Sequence, residues 1–269
     1  MRISQLAGLL LGFAVTLAAS GRTSNPAVNG ADLFEKGMNA LEGSAATRSG
    51  ANALGYFQRA ADLGYAPAQV VLGYLYETGL NTSADPQQAI DFYKKAAQQD
   101  DPLAQWMIGR LTILGIPTRD LNSAAAWLEK SRGHDNPFAA YLLGRVFLER
   151  GDYARAASLF QEASLQGLPQ AQKHLATLLR NGQGVQMDKS EAYVWMLISN
   201  NSGLRTSAEE LQALESDLSS SQLEQAKIKA RDLGAKTARS VVGHGCTGWP
   251  GEFDEVPAPP PPDLQRFCR

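Results

Sequence analysis

Residues 60–97 read AADLGYAPAQVVLGYLYETGLNTSADPQQAIDFYKKAA, and this stretch contains the two patterns that predict the fold. Its first half contains an apolar–glycine step, Leu72-Gly73, and its second half contains an apolar pattern that opens at Ala89. Both features recur along the chain. The small residues of the steps are Gly37, Gly73, Gly109, Gly144 and Ala176, and the alanines are Ala53, Ala89, Ala124, Ala156 and Ala192.

The spacing of the two patterns separates a rigid part of the repeat from a variable part. From each alanine to the small residue of the next repeat the distance is always 20 residues, as from Ala53 to Gly73. From each small residue to the following alanine it is 16, 16, 15, 12 and 16 residues. A constant interval indicates two packed helices and a tight turn, whereas a variable interval contains a loop. The sequence therefore predicts about five helix pairs that stack on one another.

Glycine in the middle of a helix needs a physical reason, because it costs about 1 kcal/mol relative to alanine. Leu72, Gly73 and Tyr76 lie at the spacing of one helix face. The return of glycine at this position predicts a close approach between helices, with no side chain between the two backbones. Each tight turn is followed by a proline, where a missing N–H costs nothing; these are Pro67, Pro102, Pro137 and Pro169.

Residues 60–97 and the stretch NGQGVQMDKSEAYVWMLIS at 181–199 resemble the Sel1-like repeat family, the longer-looped relative of the tetratricopeptide repeat. Asp85 and Asp188 stand where that family carries an aspartate before the second helix. The segment from Gly144 to Ala163 has the shorter spacing of a tetratricopeptide unit. The Gly-x-Gly-Val turn is intact only at 182–185, and the segment 115–123 is irregular.

The resemblance implies an all-α, right-handed α-solenoid of about five helix-turn-helix repeats over residues 31–203. It also implies a non-catalytic scaffold or regulator that binds another protein, such as one that holds an envelope assembly together or restrains a sensor kinase. The chain has no phosphate-binding glycine loop, zinc-protease or serine-hydrolase motif. We therefore expect no enzyme activity, no cofactor and no metal. The alternative is an envelope hydrolase, β-lactamase-like, or a glycan-binding protein that uses the C-terminal tail.

The first 20 residues have the pattern of a secretory signal peptide. Met1-Arg2 precedes an apolar run over 6–19, and small residues stand at its end, at 18–20. At about 14 residues this run is shorter than the roughly 20 that a membrane-spanning helix needs. Cleavage is the favoured interpretation over an uncleaved anchor, with a linker over 21–30. We expect an exported protein, periplasmic or secreted.

The C-terminal part is predicted to cap the repeats and to end in an irregular tail. Two amphipathic helices are expected within 204–236, the second beginning at an N-cap, Ser219, that reaches Gln222. Residues 237–269 form a Gly- and Pro-rich tail containing Cys246 and Cys268. In an exported chain this pair favours a disulfide. The competing interpretation, a zinc site with His244, lacks the usual four ligands.

The charge of the chain argues against nucleic-acid binding. Without Arg2 the mature chain has 24 basic residues, one fewer than the 25 of the full chain, against 27 acidic residues. No dense basic stretch is present, so the electrostatic footprint of a nucleic-acid-binding protein is missing. His134 and His174 are predicted to be surface or packing residues. The expected partner is therefore a protein.

The resemblance also implies where that partner would bind. In tetratricopeptide-type solenoids the first helices line the concave face, with the positions three before and one after the small residue pointing inward. In this chain they are Phe34 and Met38, Val70 and Tyr74, Trp106 and Arg110, Tyr141 and Arg145, and Lys173 and Thr177. The position four after the small residue adds Glu77, Leu148 and Arg180.

Two interpretations of this stripe stay open. The aromatic residues can pack between helices while the cations form a solvated face. Alternatively, the stripe is a peptide groove, because aromatic and arginine side chains dominate binding energetics and arginine binds carboxylates with two hydrogen bonds. The groove would bind an acidic or C-terminal segment of a partner, with its specificity centred on Trp106, Arg110, Tyr141 and Arg145.

Overall fold

The computed structural model describes residues 29–42, 50–202, 204 and 208–243. These residues form twelve α-helices and no β-strand, which confirms the all-α prediction for the described part of the chain. The helices are α1 (Gly30–Glu42), α2 (Gly50–Asp62), α3 (Ala66–Thr78), α4 (Pro86–Ala97), α5 (Pro102–Ile113), α6 (Leu121–Arg132), α7 (Pro137–Glu149), α8 (Tyr153–Leu165), α9 (Pro169–Asn181), α10 (Lys189–Asn201), α11 (Ala208–Ser216) and α12 (Ser220–Gly243).

The described residues form two compact units that divide after Ser131, at the end of α6. The first unit contains the pairs α1–α2, α3–α4 and α5–α6. The second contains the pairs α7–α8 and α9–α10, followed by α11 and α12. Within a unit the helices of each pair pack together, and α2, α4 and α8 also pack against the helix that follows them. Each helix therefore buries its apolar face against its neighbours in the chain, as expected for stacked repeats.

The constant 20-residue interval corresponds to a fixed turn between consecutive pairs. In the first of these turns the Tyr65 N–H donates to the Ala60 carbonyl at 3.1 Å, the hydrogen bond of a Schellman motif. Each turn has one residue with left-handed backbone: Gly64 (φ 82°), Asp100 (φ 64°), Asp135 (φ 58°) and Gly167 (φ 89°). The four predicted prolines then lie in the first turn of the next helix.

The variable interval is the loop between the two helices of a pair. It spans residues 79–85 between α3 and α4 but only 150–152 between α7 and α8, which explains the short 12-residue interval after Gly144. The aspartates that the resemblance singled out are helix N-caps. Asp85 accepts hydrogen bonds from the Gln87 and Gln88 N–H groups at 3.1 and 3.0 Å, and Asp188 accepts one from Glu191 at 2.9 Å.

A side chain covers each repeat glycine, at Gly37, Gly73, Gly109 and Gly144, which corrects the prediction of bare backbone contact. A Cβ atom on Gly73 would lie 2.5 Å from the Tyr93 ring, and at Gly109 it would lie 2.6 Å from Leu128 and 3.4 Å from the Ala124 carbonyl. The covering residues stand four positions after each repeat alanine and are completely buried: Phe57, Tyr93, Leu128 and Phe160. The predicted close approach therefore exists, but it is mainly a side chain that rests on the glycine backbone.

The C-terminal helix is longer than the sequence predicts. We expect an end near Leu233, before Gly234, yet α12 continues to Gly243. A Cβ on Gly234 would meet Ile198 of α10 at 3.7 Å, so this glycine lies inside a helix contact and does not end the helix. At the other end the predicted capping box is present, because Ser219 and Gln222 exchange backbone-to-side-chain hydrogen bonds of 3.0 and 3.3 Å.

Several predictions lie outside the described residues. They concern the signal peptide over 1–20, all but the last two residues of the linker over 21–30, and the disulfide between Cys246 and Cys268. None of the helices in the described ranges is long and apolar enough to cross a membrane.

Replacing Gly73 by alanine should destabilise the protein by about 1–3 kcal/mol, the usual effect of overpacking a core. The added methyl group would lie 2.5 Å from a completely buried ring that has no room to move. Gly55 is the matched control, because it lies in α2 with nothing within 4 Å of an added Cβ. Gly55→Ala should be neutral or stabilising by up to about 1 kcal/mol. Urea unfolding of both variants measures the contrast, and equal effects would show that the glycine contact is not tight.

Candidate functional site

Five apolar or aromatic residues of the predicted stripe lie inside the protein. Their exposed fractions are at most 9%. In the first unit, for example, Phe34 lies 5.6 Å from Phe57 and 5.5 Å from Tyr65, measured between ring centroids. Side chains buried in this way support the helix packing and offer little surface to a partner. These residues are Phe34, Met38, Val70, Trp106 and Tyr141.

The polar residues of the stripe are the ones that reach the surface. Thr177 is exposed, and the rest are half-buried, as is Leu148. Lys173, Thr177 and Arg180 follow one another at helical spacing and share one face of α9. The half-buried polar residues are Tyr74, Glu77, Arg110, Arg145, Lys173 and Arg180.

In the first unit these side chains form a connected cluster around Glu77. The Tyr93 hydroxyl donates a hydrogen bond of 2.9 Å to Glu77, and Arg110 forms an ion pair with the same carboxylate. The Arg110 guanidinium also lies 5.7 Å from the centroid of the Trp106 ring, within the range of a cation–π contact. Burial raises the pKa of Tyr93 well above its usual value, with Glu77 adding to the shift. Arg110, which the sequence offers to a partner, is thus engaged by a carboxylate of its own chain.

In the second unit the stripe carries the basic residues Arg145, Lys173 and Arg180. His174 stacks on Phe160 at 4.9 Å and lies 5.8 Å from Tyr141, between ring centroids. Burial, followed by the nearby charges of Arg145 and Lys173, lowers the pKa of His174 to about 4. Lys173 and Arg180 form no ion pair with another described residue. We call Arg145, Lys173 and Arg180 the basic face.

The described residues provide cationic side chains that can bind a ligand. They contain no group of three or more His, Cys, Asp or Glu side chains that could hold a metal ion. His174 is surrounded by rings and cations, and its low pKa keeps it neutral at pH 7. The basic face, by contrast, presents ammonium and guanidinium groups that hydrogen-bond carboxylates strongly.

Sequence reasoning missed the link between Glu77, Tyr93 and Arg110. A signal was present in the repeat itself, because Glu77 stands four residues after Gly73, where the neighbouring repeats have apolar residues. Tyr93 likewise replaces a phenylalanine found in two other repeats. The equivalents of Glu77 are Leu41, Ile113 and Leu148, and those of Tyr93 include Phe57 and Phe160. A carboxylate and a hydroxyl that enter one repeat together indicate a hydrogen bond.

Comparison with known families finds one model that covers the helix pairs. The Sel1 repeat model matches residues 37–65, 66–101, 102–132, 137–168 and 169–204. Each of the five matches falls on one helix pair as the structure places it. Together they cover more than half of the chain.

Solved structures with the same fold include two bacterial proteins. A protective antigen of uropathogenic Escherichia coli that displays an SLR fold is 25% identical with a TM-score of 0.71, covering 79% of this chain and 47% of that one. A Sel1 repeat protein from Oxalobacter formigenes is 26% identical with a TM-score of 0.63, covering 84% of this chain and 95% of that one.

Curated relatives include two regulatory factors of Schizosaccharomyces pombe. Chitin synthase regulatory factor 4 is 31% identical over 134 residues, which is 48% of this chain and 21% of that protein. Chitin synthase regulatory factor 3 is 31% identical over 128 residues, which is 44% of this chain and 14% of that protein. The similarity to both is therefore confined to a small part of their length.

Stability should fall as the pH drops from about 6.5 to about 4, because His174 takes up a proton more readily in the unfolded chain than in the folded one. The difference between the ordinary histidine pKa of 6.5 and about 4 corresponds to at most about 3 kcal/mol. His174→Leu should remove this loss, since Leu142 occupies the equivalent position in the preceding repeat. Urea unfolding at pH 7, 5.5 and 4 tests this, with the exposed His134→Gln as a control that keeps the loss. An unchanged pH dependence in His174→Leu would contradict it.

Proposed function

Because the chain belongs to the Sel1 repeat family, whose members are generally protein-interaction scaffolds, we propose that it is a non-catalytic scaffold of the cell envelope. Its partner is a protein that contributes an acidic or C-terminal segment. The observation that carries the proposal is the basic face, where Lys173 and Arg180 have no ion-pair partner among the described residues.

The electrostatics of the basic face favour an anionic ligand. Arg145 and Lys173 are both close enough to His174 to lower its pKa, so two cations of different helices share one neighbourhood. Arg180 continues this charge along α9, seven residues after Lys173. Like charges placed together repel, and a bound carboxylate relieves that repulsion. An acidic segment offers several carboxylates at once and matches the face better than a single small anion.

The location and role of the scaffold are supported by sequence features outside the described residues and by the relatives. The leader pattern over 1–20 supports export to the periplasm or beyond the cell. Two curated relatives are named regulatory factors, which supports a regulatory use of the bound partner. The protein would then act by holding an envelope partner, either to assemble it with others or to restrain it.

Reversing two charges of the basic face should weaken partner capture. In Arg145→Glu with Lys173→Glu, repulsion of the acidic segment should weaken binding by at least about tenfold, equivalent to ~1.4 kcal/mol. The measurement is a crosslinking pull-down from envelope extract with the mature chain as bait, followed by titration of the partner that is identified.

The matched control is Arg59→Glu with Lys236→Glu, which makes the same change in net charge at exposed residues away from the basic face. Capture by this control should equal capture by the wild-type chain. A partner retained equally by all three baits would remove the basic face from the proposal, and the absence of any saturable protein partner would reject the scaffold itself.

A further inference from the structure

The first unit contains a polar cluster whose equivalent positions one repeat earlier carry no charge. We call Glu77, Tyr93 and Arg110 the Glu77 cluster; they lie on α3, α4 and α5 respectively. One repeat earlier, Leu41, Phe57 and Tyr74 occupy the positions of Glu77, Tyr93 and Arg110, so the fold accommodates an uncharged set there. The cluster is therefore not a requirement of the helix packing.

Stability alone does not explain the Glu77 cluster. The Glu77 and Arg110 side chains are only 17% and 19% exposed, so both charges have lost most of their water. Desolvation of such a pair consumes most of the Coulomb attraction, and apolar residues of similar volume generally stabilise a protein as well or better. A polar set that replaces an available apolar one at no gain in stability indicates a functional site.

Arg110 retains hydrogen-bonding capacity that Glu77 does not use. Glu77 engages the Nη2 group through its Oε1 atom, while Oε2 accepts the hydrogen bond from Tyr93. The Arg110 Nε–H is buried and donates no hydrogen bond within the described residues. A buried donor left in this state destabilises the folded chain. A carboxylate that approached the Nε and Nη2 side of the guanidinium would satisfy both N–H groups at once, in the bidentate geometry that arginine favours.

We propose that Arg110 is a carboxylate-binding site in the first unit that Glu77 holds closed. A carboxylate on the partner segment displaces Glu77 from Arg110 and binds its Nε–H and Nη2–H groups. The Tyr93 hydroxyl continues to donate to Glu77, so the displaced carboxylate keeps one hydrogen bond. The inference rests on the proposed function for the class of ligand, but its residues are separate from the basic face.

The surroundings of Arg110 favour a segment that carries an apolar group beside its carboxylate. Tyr74 is half-buried next to the cluster, and burial raises its pKa, followed by the effect of Glu77. On the other side the guanidinium lies over the Trp106 ring and 3.6 Å from the Met107 sulfur. Glu77 excludes weakly binding anions from Arg110, because a ligand must replace the ion pair between Glu77 and Arg110. The internal carboxylate thereby raises selectivity at the expense of affinity.

Glu77→Gln tests the proposal, because glutamine still accepts the Tyr93 hydrogen bond but no longer competes for Arg110 as a carboxylate. The probe is a fluorescein-labelled Phe-Glu-Glu-Phe peptide with a free C-terminus, titrated into the full mature chain and followed by anisotropy. The Arg110 Nε–Hε resonance in ¹⁵N NMR reports on the site itself. We expect about tenfold tighter binding to Glu77→Gln than to wild type, together with a shift of that resonance on titration.

Asp91→Asn is the matched control, since it removes one exposed negative charge from α4 and should leave the affinity unchanged. Glu77→Leu with Arg110→Tyr restores the residues found one repeat earlier, Leu41 and Tyr74, and should stay folded while losing the tight binding. Equal affinities of Glu77→Gln and wild type, or an Arg110 signal that does not move, would overturn the inference.

The two proposals can fail separately. If only the charge reversals on the basic face weaken partner capture, the proposed function stands and the carboxylate site at Arg110 is rejected. If only Glu77→Gln changes peptide affinity, the carboxylate site at Arg110 stands and the basic face is rejected.

Discussion

The contact between a buried side chain and a mid-helix glycine holds four of the five helix pairs together, and Ala176 takes the place of the glycine in the fifth. At Gly37, Gly73 and Gly144 the covering group is an aromatic ring that lies directly on the backbone of the facing helix. Ring and backbone meet over a wide area because no Cβ separates them, and such dense packing is where core stabilisation arises. The contact also fixes the register of the two helices, since only one position on the first helix is small enough. Loops of different length between the helices are tolerated for the same reason.

Local features of the fold were predictable from the sequence, and contacts between elements were less so. The helix pairs, the tight turns and the aspartate caps follow from periodicity and from residue types that act within a few positions of the chain. The groups that cover the glycines required the structure, because periodicity locates an apolar face without identifying what lies opposite. Gly234 illustrates the same limit, since a glycine that suggests a helix end instead lies against Ile198 inside a helix contact.

The predicted stripe shows how far helix position alone determines exposure. Trp106 and Tyr141 stand at positions assigned to a groove, yet both are buried, because large side chains there lie against the neighbouring helices. The cations of the same stripe reach the surface, since their long side chains carry the charge out to solvent. The pairing of Glu77 with Arg110 spans 33 positions and two repeats, so no local pattern specifies it. Only the departure of Glu77 from the apolar residues at its repeat position marked it in advance.

A repeat whose packing is carried by glycine and its covering side chain leaves other positions free to differ between repeats. The position one residue after the small residue holds Arg110 in the first unit and Arg145 in the second. Arg110 is half-buried and neutralised by Glu77, so dissolved salt screens that pair weakly. The basic face includes cations without ion-pair partners among the described residues, so its attraction for an acidic segment is screened at physiological ionic strength. If both proposed sites bind carboxylates, ionic strength governs recognition at the basic face and competition with an internal acid governs it at Arg110.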